Sequence, residues 1–247
     1  MSERSLRDPL TIRDGETTVV GTLRSASRPS GVVIVHGIVG SRRMPEIETV
    51  AETLASRHDT LAIDVHGHGD GPGRFTWGRD EWRQVALASS WLASGGRSVA
   101  AIGFSFGGYH VAKAAARGAA LARIVLVGAP VDLRVFDHFP LPRHLAAHLP
   151  AMLRRRRRLP RCERLPRLRD RALEDEELTR VTAPALIVHG TADWLVLRRH
   201  AARYAARLPR ARLLEIPGGL HAEYLVDSHR DALLGAIERF FGEPVVP

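Results

Sequence analysis

The chain has 247 residues, of which 45% are hydrophobic and 26% charged. That balance fits a globular protein with a full core and excludes a disordered chain. The formal charge of +9 is carried almost wholly by arginine, Lys113 being the single lysine. Charge of this sign attracts anionic substrates or carriers, but no nucleic-acid-binding motif accompanies it, so nucleic acid is not expected as a partner. No apolar run is long enough to span a bilayer. The first ten residues carry Glu3, Arg4, Arg7 and Asp8 in place of the apolar stretch of a secretory leader, so a cytoplasmic location is expected. The single cysteine, Cys162, rules out an internal disulfide.

Short apolar, β-branched runs alternate with longer stretches of helical period. Residues 17–23 read as an early strand, followed by strands at 32–36, 60–65, 99–104, 124–127, 185–189 and 213–216. Each run is short, rich in Val, Ile or Leu, and stopped by Gly, Pro or a charge, as strands buried on both faces of a parallel sheet are. Helices are expected at 46–56, with Ile47, Val50, Ala51 and Leu54 on one face, and at 80–93, 107–118, 198–207 and 230–241. Regular alternation of this kind predicts an α/β fold with a mostly parallel, doubly wound sheet, whose strand C-terminal ends share one ligand-binding edge. Residues 131–181 break the alternation. They contain Phe136, Phe139, several prolines, an arginine run from Arg154 to Arg158 and an acidic cluster from Glu174 to Glu177. The expectation is one domain over residues 1–247, with 131–181 as a small helical cap inserted over the sheet edge.

The strongest motif is Gly103-Phe104-Ser105-Phe106-Gly107, followed by Gly108. It matches G-x-S-x-G, and it lies where that pattern has mechanical meaning, between a strand and a helix. So sharp a reversal strains the central residue and lifts its hydroxyl into the open. Gly103 and Gly107 remove side chains where helix and strand nearly touch. The Phe106 amide then opens the helix and points at charge developing on a substrate oxygen. A serine hydroxyl needs a base, and the base needs an orienting acid. Asp193 follows the strand 185–189 in Gly190-Thr191-Ala192-Asp193. His221 follows the last strand in Pro217-Gly218-Gly219-Leu220-His221. Asp132 is the alternative orienter, and Glu223 lies too near His221 in sequence to be preferred for that role.

In these motifs the chain resembles the α/β-hydrolase superfamily, in its bacterial esterase, lysophospholipase and thioesterase group. The likeness covers nearly everything except residues 131–181. It implies an α/β-hydrolase fold, a Ser105–His221–Asp193 triad and no cofactor. It also implies that the turn His36-Gly37-Ile38-Val39-Gly40 supplies a second oxyanion donor, Ile38 N–H, beside Phe106 N–H, with His36 and Gly37 shaping the turn. The sequence His66-Gly67-His68-Gly69-Asp70 opens like a dinuclear zinc signature. Its next residue is Gly71, where a histidine is needed, so no metal is expected. The segment resembles instead the D-x-x-G-x-G loop of α/β-hydrolases. The expected reaction is cleavage of a carboxylic ester. The rivals are a thioesterase acting on acyl-carrier or coenzyme A thioesters, a serine peptidase, a perhydrolase and, from another class, a non-catalytic binding member of the fold. Epoxide hydrolase and dehalogenase chemistry calls for Asp where Ser105 stands. The run Arg154 to Arg158 suits an anionic carrier or lipid head as a partner.

Overall fold

The computed structural model describes residues 6–134, 159–166 and 172–244. The chain builds an eight-stranded sheet from β1 (Leu6–Asp14), β2 (Thr17–Ser25), β3 (Ser30–Val35), β4 (Asp59–Asp64), β5 (Ser98–Phe104), β6 (Arg123–Val127), β7 (Ala185–Gly190) and β8 (Ala211–Ile216). Their spatial order is β1-β2-β4-β3-β5-β6-β7-β8. β2 is antiparallel to both β1 and β4, and every pair from β4 to β8 is parallel. The described helices are α1 (Pro45–Leu54), α2 (Glu81–Ala93), α3 (Phe106–Ala116), α4 (Asp175–Leu178), α5 (Arg198–Arg207), α6 (Tyr224–Ser228) and α7 (Arg230–Gly242). This is the α/β-hydrolase architecture. Among the described residues, no helix is long and apolar enough to cross a membrane.

The unbroken apolar runs of the inner strands follow from burial on two faces. Side chains alternate across a strand. Val33, Val35, Leu61, Ile63, Ala101, Leu126 and Ile187 therefore join one cluster with Val85 and Leu92 of α2, Val111 of α3 and Tyr204 of α5. Their sequence neighbours Val32, Ile34, Ala62, Ile102, Val125 and Val188 join the other, with Ile47, Val50 and Leu54 of α1 and Leu233, Ile237 and Phe240 of α7.

The topology places the site. From β3 the chain crosses to β4 on one side, then returns to β5 on the other, so the order reverses at β3 and opens a crevice at the strand C-terminal ends. The turn after β3 and the bend after β5 face each other there. A Cβ built on Gly103 would lie 2.3 Å from the Gly107 carbonyl carbon and 2.4 Å from the Gly108 nitrogen. One on Gly107 would lie 2.3 Å from the Val35 oxygen. α3 thus starts in contact with both β5 and the end of β3, which only glycine allows. Gly103→Ala is expected to destabilise the protein by about 3 kcal/mol, because backbone cannot yield as a side chain does. Scanning calorimetry should read this as a fall in melting temperature of about 6–12 °C; a fall under about 2 °C would contradict the packing argument.

Most of the expected cap, including the run Arg154 to Arg158, lies outside the described residues. Within that stretch, the described residues 159–166 are tied to the loop after β4. Arg161 N–H donates to Gly67 O (2.9 Å), Phe75 N–H to Arg161 O (2.7 Å) and Glu163 N–H to Phe75 O (2.9 Å). Cys162 is half-buried there, and burial pushes its thiol pKa up to about 11, which removes it as a nucleophile.

Candidate active site

Ser105 sits between β5 and α3 with φ 50° and ψ −122°. Backbone in that region costs about 1–3 kcal/mol for a residue with a side chain. The bend is held because Ser105 N–H donates to Val127 O (2.8 Å) on neighbouring β6, and Ser105 O accepts from Gly108 N–H (2.9 Å) in the first turn of α3.

The three residues picked from the sequence meet in one hydrogen-bonded row, although 116 positions separate Ser105 from His221. Ser105 Oγ lies 2.9 Å from His221 Nε2, and His221 Nδ1 lies 2.8 Å from Asp193 Oδ2. All three are buried. The other oxygen of Asp193, Oδ1, accepts from Leu195 N–H (3.0 Å) and Val196 N–H (2.9 Å). The carboxylate is therefore locked by its own turn, with one face left for the histidine. That assigns the tautomer. Nδ1 carries the proton toward Asp193, and Nε2 is free to accept from the serine hydroxyl. Burial lowers the His221 pKa, but the charge of Asp193, its hydrogen bond and the charge of Glu223 outweigh it, and the net shift is upward. For Asp193, burial raises the pKa and is outweighed by His221, so the net shift is downward. Asp132 is engaged elsewhere, accepting from Arg134 N–H (2.9 Å), Nε (3.0 Å) and Nη2 (2.7 Å).

The turn after β3 is fixed from several directions. Gly37 O is 2.8 Å from His36 Nδ1 and accepts from Gly40 N–H (3.0 Å). The described chain has no cis peptide bond. In a trans peptide the N–H points opposite to the C=O. Anchoring Gly37 O therefore aims Ile38 N–H the other way, out of the turn. Phe106 N–H belongs to the first residue of α3 and has no acceptor within the helix. His36 Nε2 accepts from Val65 N–H (3.4 Å), and burial lowers its pKa, so the ring is neutral with its proton on Nδ1. His68 Nε2 lies 2.7 Å from Ile38 O and its Nδ1 lies 2.9 Å from His66 O. Burial pushes the His68 pKa down to about 3, so its single proton serves one of these two carbonyls. The zinc-like histidine thus backs the turn after β3. Asp70 pairs with Arg42 and Arg43. Among the described residues, no group of His, Cys, Asp or Glu side chains is placed to hold a metal ion.

Two buried residues beside the site were assigned no role from the sequence. Glu223 Oε1 accepts from Gly37 N–H (2.8 Å), a contact across 186 positions that no local pattern announces. His189, at the end of β7, is buried beside Asp193 and His221, and its pKa is lowered mainly by burial. Its signal is the phrase His189-Gly190 just ahead of Asp193.

The family model described as alpha/beta hydrolase fold matches residues 32–161. This chain belongs to that family. Its fold is similar to an esterase of Pyrococcus furiosus (17% identity, TM-score 0.75, covering 96% of this chain and 91% of that one). It is likewise similar to an esterase of Rhodococcus sp. (20%, 0.70, 93% and 96%) and a hydrolase of Pseudomonas aeruginosa (20%, 0.72, 96% and 99%). At these identities the likeness is one of fold. No curated protein matches the sequence.

Proposed function

We propose that this protein is a serine hydrolase that cleaves carboxylic esters through an acyl-enzyme. The observation that carries the reading is the continuous row Ser105 Oγ, His221 Nε2, His221 Nδ1 and Asp193 Oδ2, at 2.9 and 2.8 Å. In the first step the Ser105 oxygen bonds to the ester carbonyl carbon as its proton passes to His221 Nε2. Asp193 stabilises the imidazolium, and Ile38 and Phe106 N–H groups hold the oxyanion. The tetrahedral adduct collapses, and the alcohol leaves with the proton from His221. Water then attacks the acyl-enzyme with His221 as base, releasing the acid and restoring Ser105. Ester and hydrolase names among the structural relatives favour this chemistry, and no step needs a cofactor.

Trp194 and Leu220, the sequence neighbours of Asp193 and His221, are 45% and 40% exposed, and exposed apolar surface of this kind favours an apolar group on the substrate. A fluorophosphonate probe, followed by mass spectrometry of the peptides, is the test. The adduct is expected on Ser105. Labelling elsewhere, or none, would overturn the reading. Nitrophenyl esters run against acyl thioesters then rank the alternatives. Faster thioester turnover would make the protein a thioesterase working with the same residues.

A further inference from the structure

We propose that Glu223 is a positioning residue of this site, tying the oxyanion turn after β3 to the loop that carries the base. The inference rests on the hydrolase reading above. Glu223 stands at the N-terminus of α6, yet its side chain makes no capping hydrogen bond there. It reaches across the crevice instead, and Oε1 accepts from Gly37 N–H at 2.8 Å with both groups buried. A Cβ on Gly37 would lie 2.6 Å from that oxygen and 3.0 Å from Ser105 Cβ. Carboxylate and nucleophile therefore border the same small space, which Gly37 keeps open.

The physical need is specific. Gly37 is the most permissive residue type, and the aim of Ile38 N–H depends on both its dihedrals. The peptide on its C-terminal side is held through Gly37 O by His36 and Gly40. The peptide on its N-terminal side is held through Gly37 N–H by Glu223. Without Glu223 the peptide on the N-terminal side of Gly37 is untethered, and the direction of Ile38 N–H rests on the contacts to Gly37 O alone. Preset direction is what makes such donors effective, since nothing then reorganises as charge develops.

Glu223 also adds negative charge beside the base. The groups facing His221 are Asp193 on the loop after β7, His189 on β7 and Glu223 on its own loop. His36 faces Glu223 from the other side, with Asp64 and Arg42 behind it. The carboxylate favours imidazolium formation, and its removal lowers the pKa of His221. Catalysis needs the neutral base, so the acid limb of the rate profile moves to lower pH.

The test is the second-order rate of fluorophosphonate labelling of Ser105 as a function of pH, in the parent, Glu223→Gln and Glu223→Ala, with melting temperatures alongside. Glu223→Ala is expected to lower the plateau rate about 10- to 100-fold, below the loss for removing an oxyanion donor outright. Glu223→Gln keeps an acceptor for Gly37 N–H and should lose about three- to tenfold. Both should move the acid limb to lower pH, which a purely structural role would not do. An unmoved limb, or rate losses that only follow the fall in melting temperature, would overturn the proposal. If Glu223→Ala does not fold, the limb of Glu223→Gln decides. A parent that does not label Ser105 sinks the hydrolase reading itself; a labelled parent with unaltered variants sinks only the role of Glu223.

Discussion

Replacing Ser105 with alanine should lower kcat for ester cleavage by about a millionfold and leave the fold standing. The size of the loss follows from the mechanism. When the nucleophile is removed, the base has nothing to activate and the acyl-enzyme cannot form. What survives is substrate binding and the oxyanion donors, whose combined effect is a residual of about a thousandfold over water. The fold survives because Ser105 holds the bend by its backbone, through Val127 O and Gly108 N–H. Alanine keeps both contacts. It also keeps the Cβ, so the strain at φ 50° is the same in parent and variant. The variant loses one buried hydrogen bond, to His221 Nε2, worth about 1 kcal/mol, so the melting temperature should fall by no more than about 4 °C. Turnover above about 1% of the parent would show that hydrolysis proceeds without Ser105.

Much of this was legible in the sequence because the inner strands are simple objects. A strand covered on both faces must be apolar at every position, as 32–35 and 185–188 are, and such runs stand out from the amphipathic helices between them. The order of the three candidate residues was legible for a related reason. Ser105, Asp193 and His221 come after β5, β7 and β8, and a glycine near each strand end (Gly103, Gly190 and Gly218) marks each one. β1 escaped. Leu6–Asp14 mixes Arg, Asp, Thr and a proline with its apolar residues, which an edge strand paired on one side tolerates. Glu223 escaped for the opposite reason. Its closeness to His221 discouraged it as the orienter, and indeed it does not touch Nδ1. Its partner is an amide 186 positions away, brought near only once β3 and the loop after β8 lie side by side. Contacts of that kind follow from topology, which periodicity specifies, and from side-chain reach, which it does not.

Asp193→Asn carries the second large expectation, a fall in kcat of about ten thousandfold with little change in KM. The reason lies in which atoms face which. Oδ1 accepts two hydrogen bonds, from Leu195 and Val196 N–H. An asparagine has one acceptor oxygen and one donor nitrogen, and only the oxygen can satisfy those two amides. The NH2 group must then face His221 Nδ1, where Oδ2 stood. To accept from it, the ring gives up the Nδ1 proton and carries its proton on Nε2, directed at Ser105 Oγ. The base is thereby turned into a donor toward the nucleophile it should deprotonate. The geometry persists while the tautomer is wrong, and that inversion costs about four orders of magnitude in rate. Loss of the negative charge also lowers the His221 pKa, since Asp193 supplies the largest upward contribution to it. The residual activity should therefore keep its plateau to lower pH than the parent. Steady-state kinetics of the variant on a nitrophenyl ester from pH 5 to 9 measure both effects. A kcat within tenfold of the parent would mean that another group orients His221, and Asp193 would then be no more than a brace for its own turn.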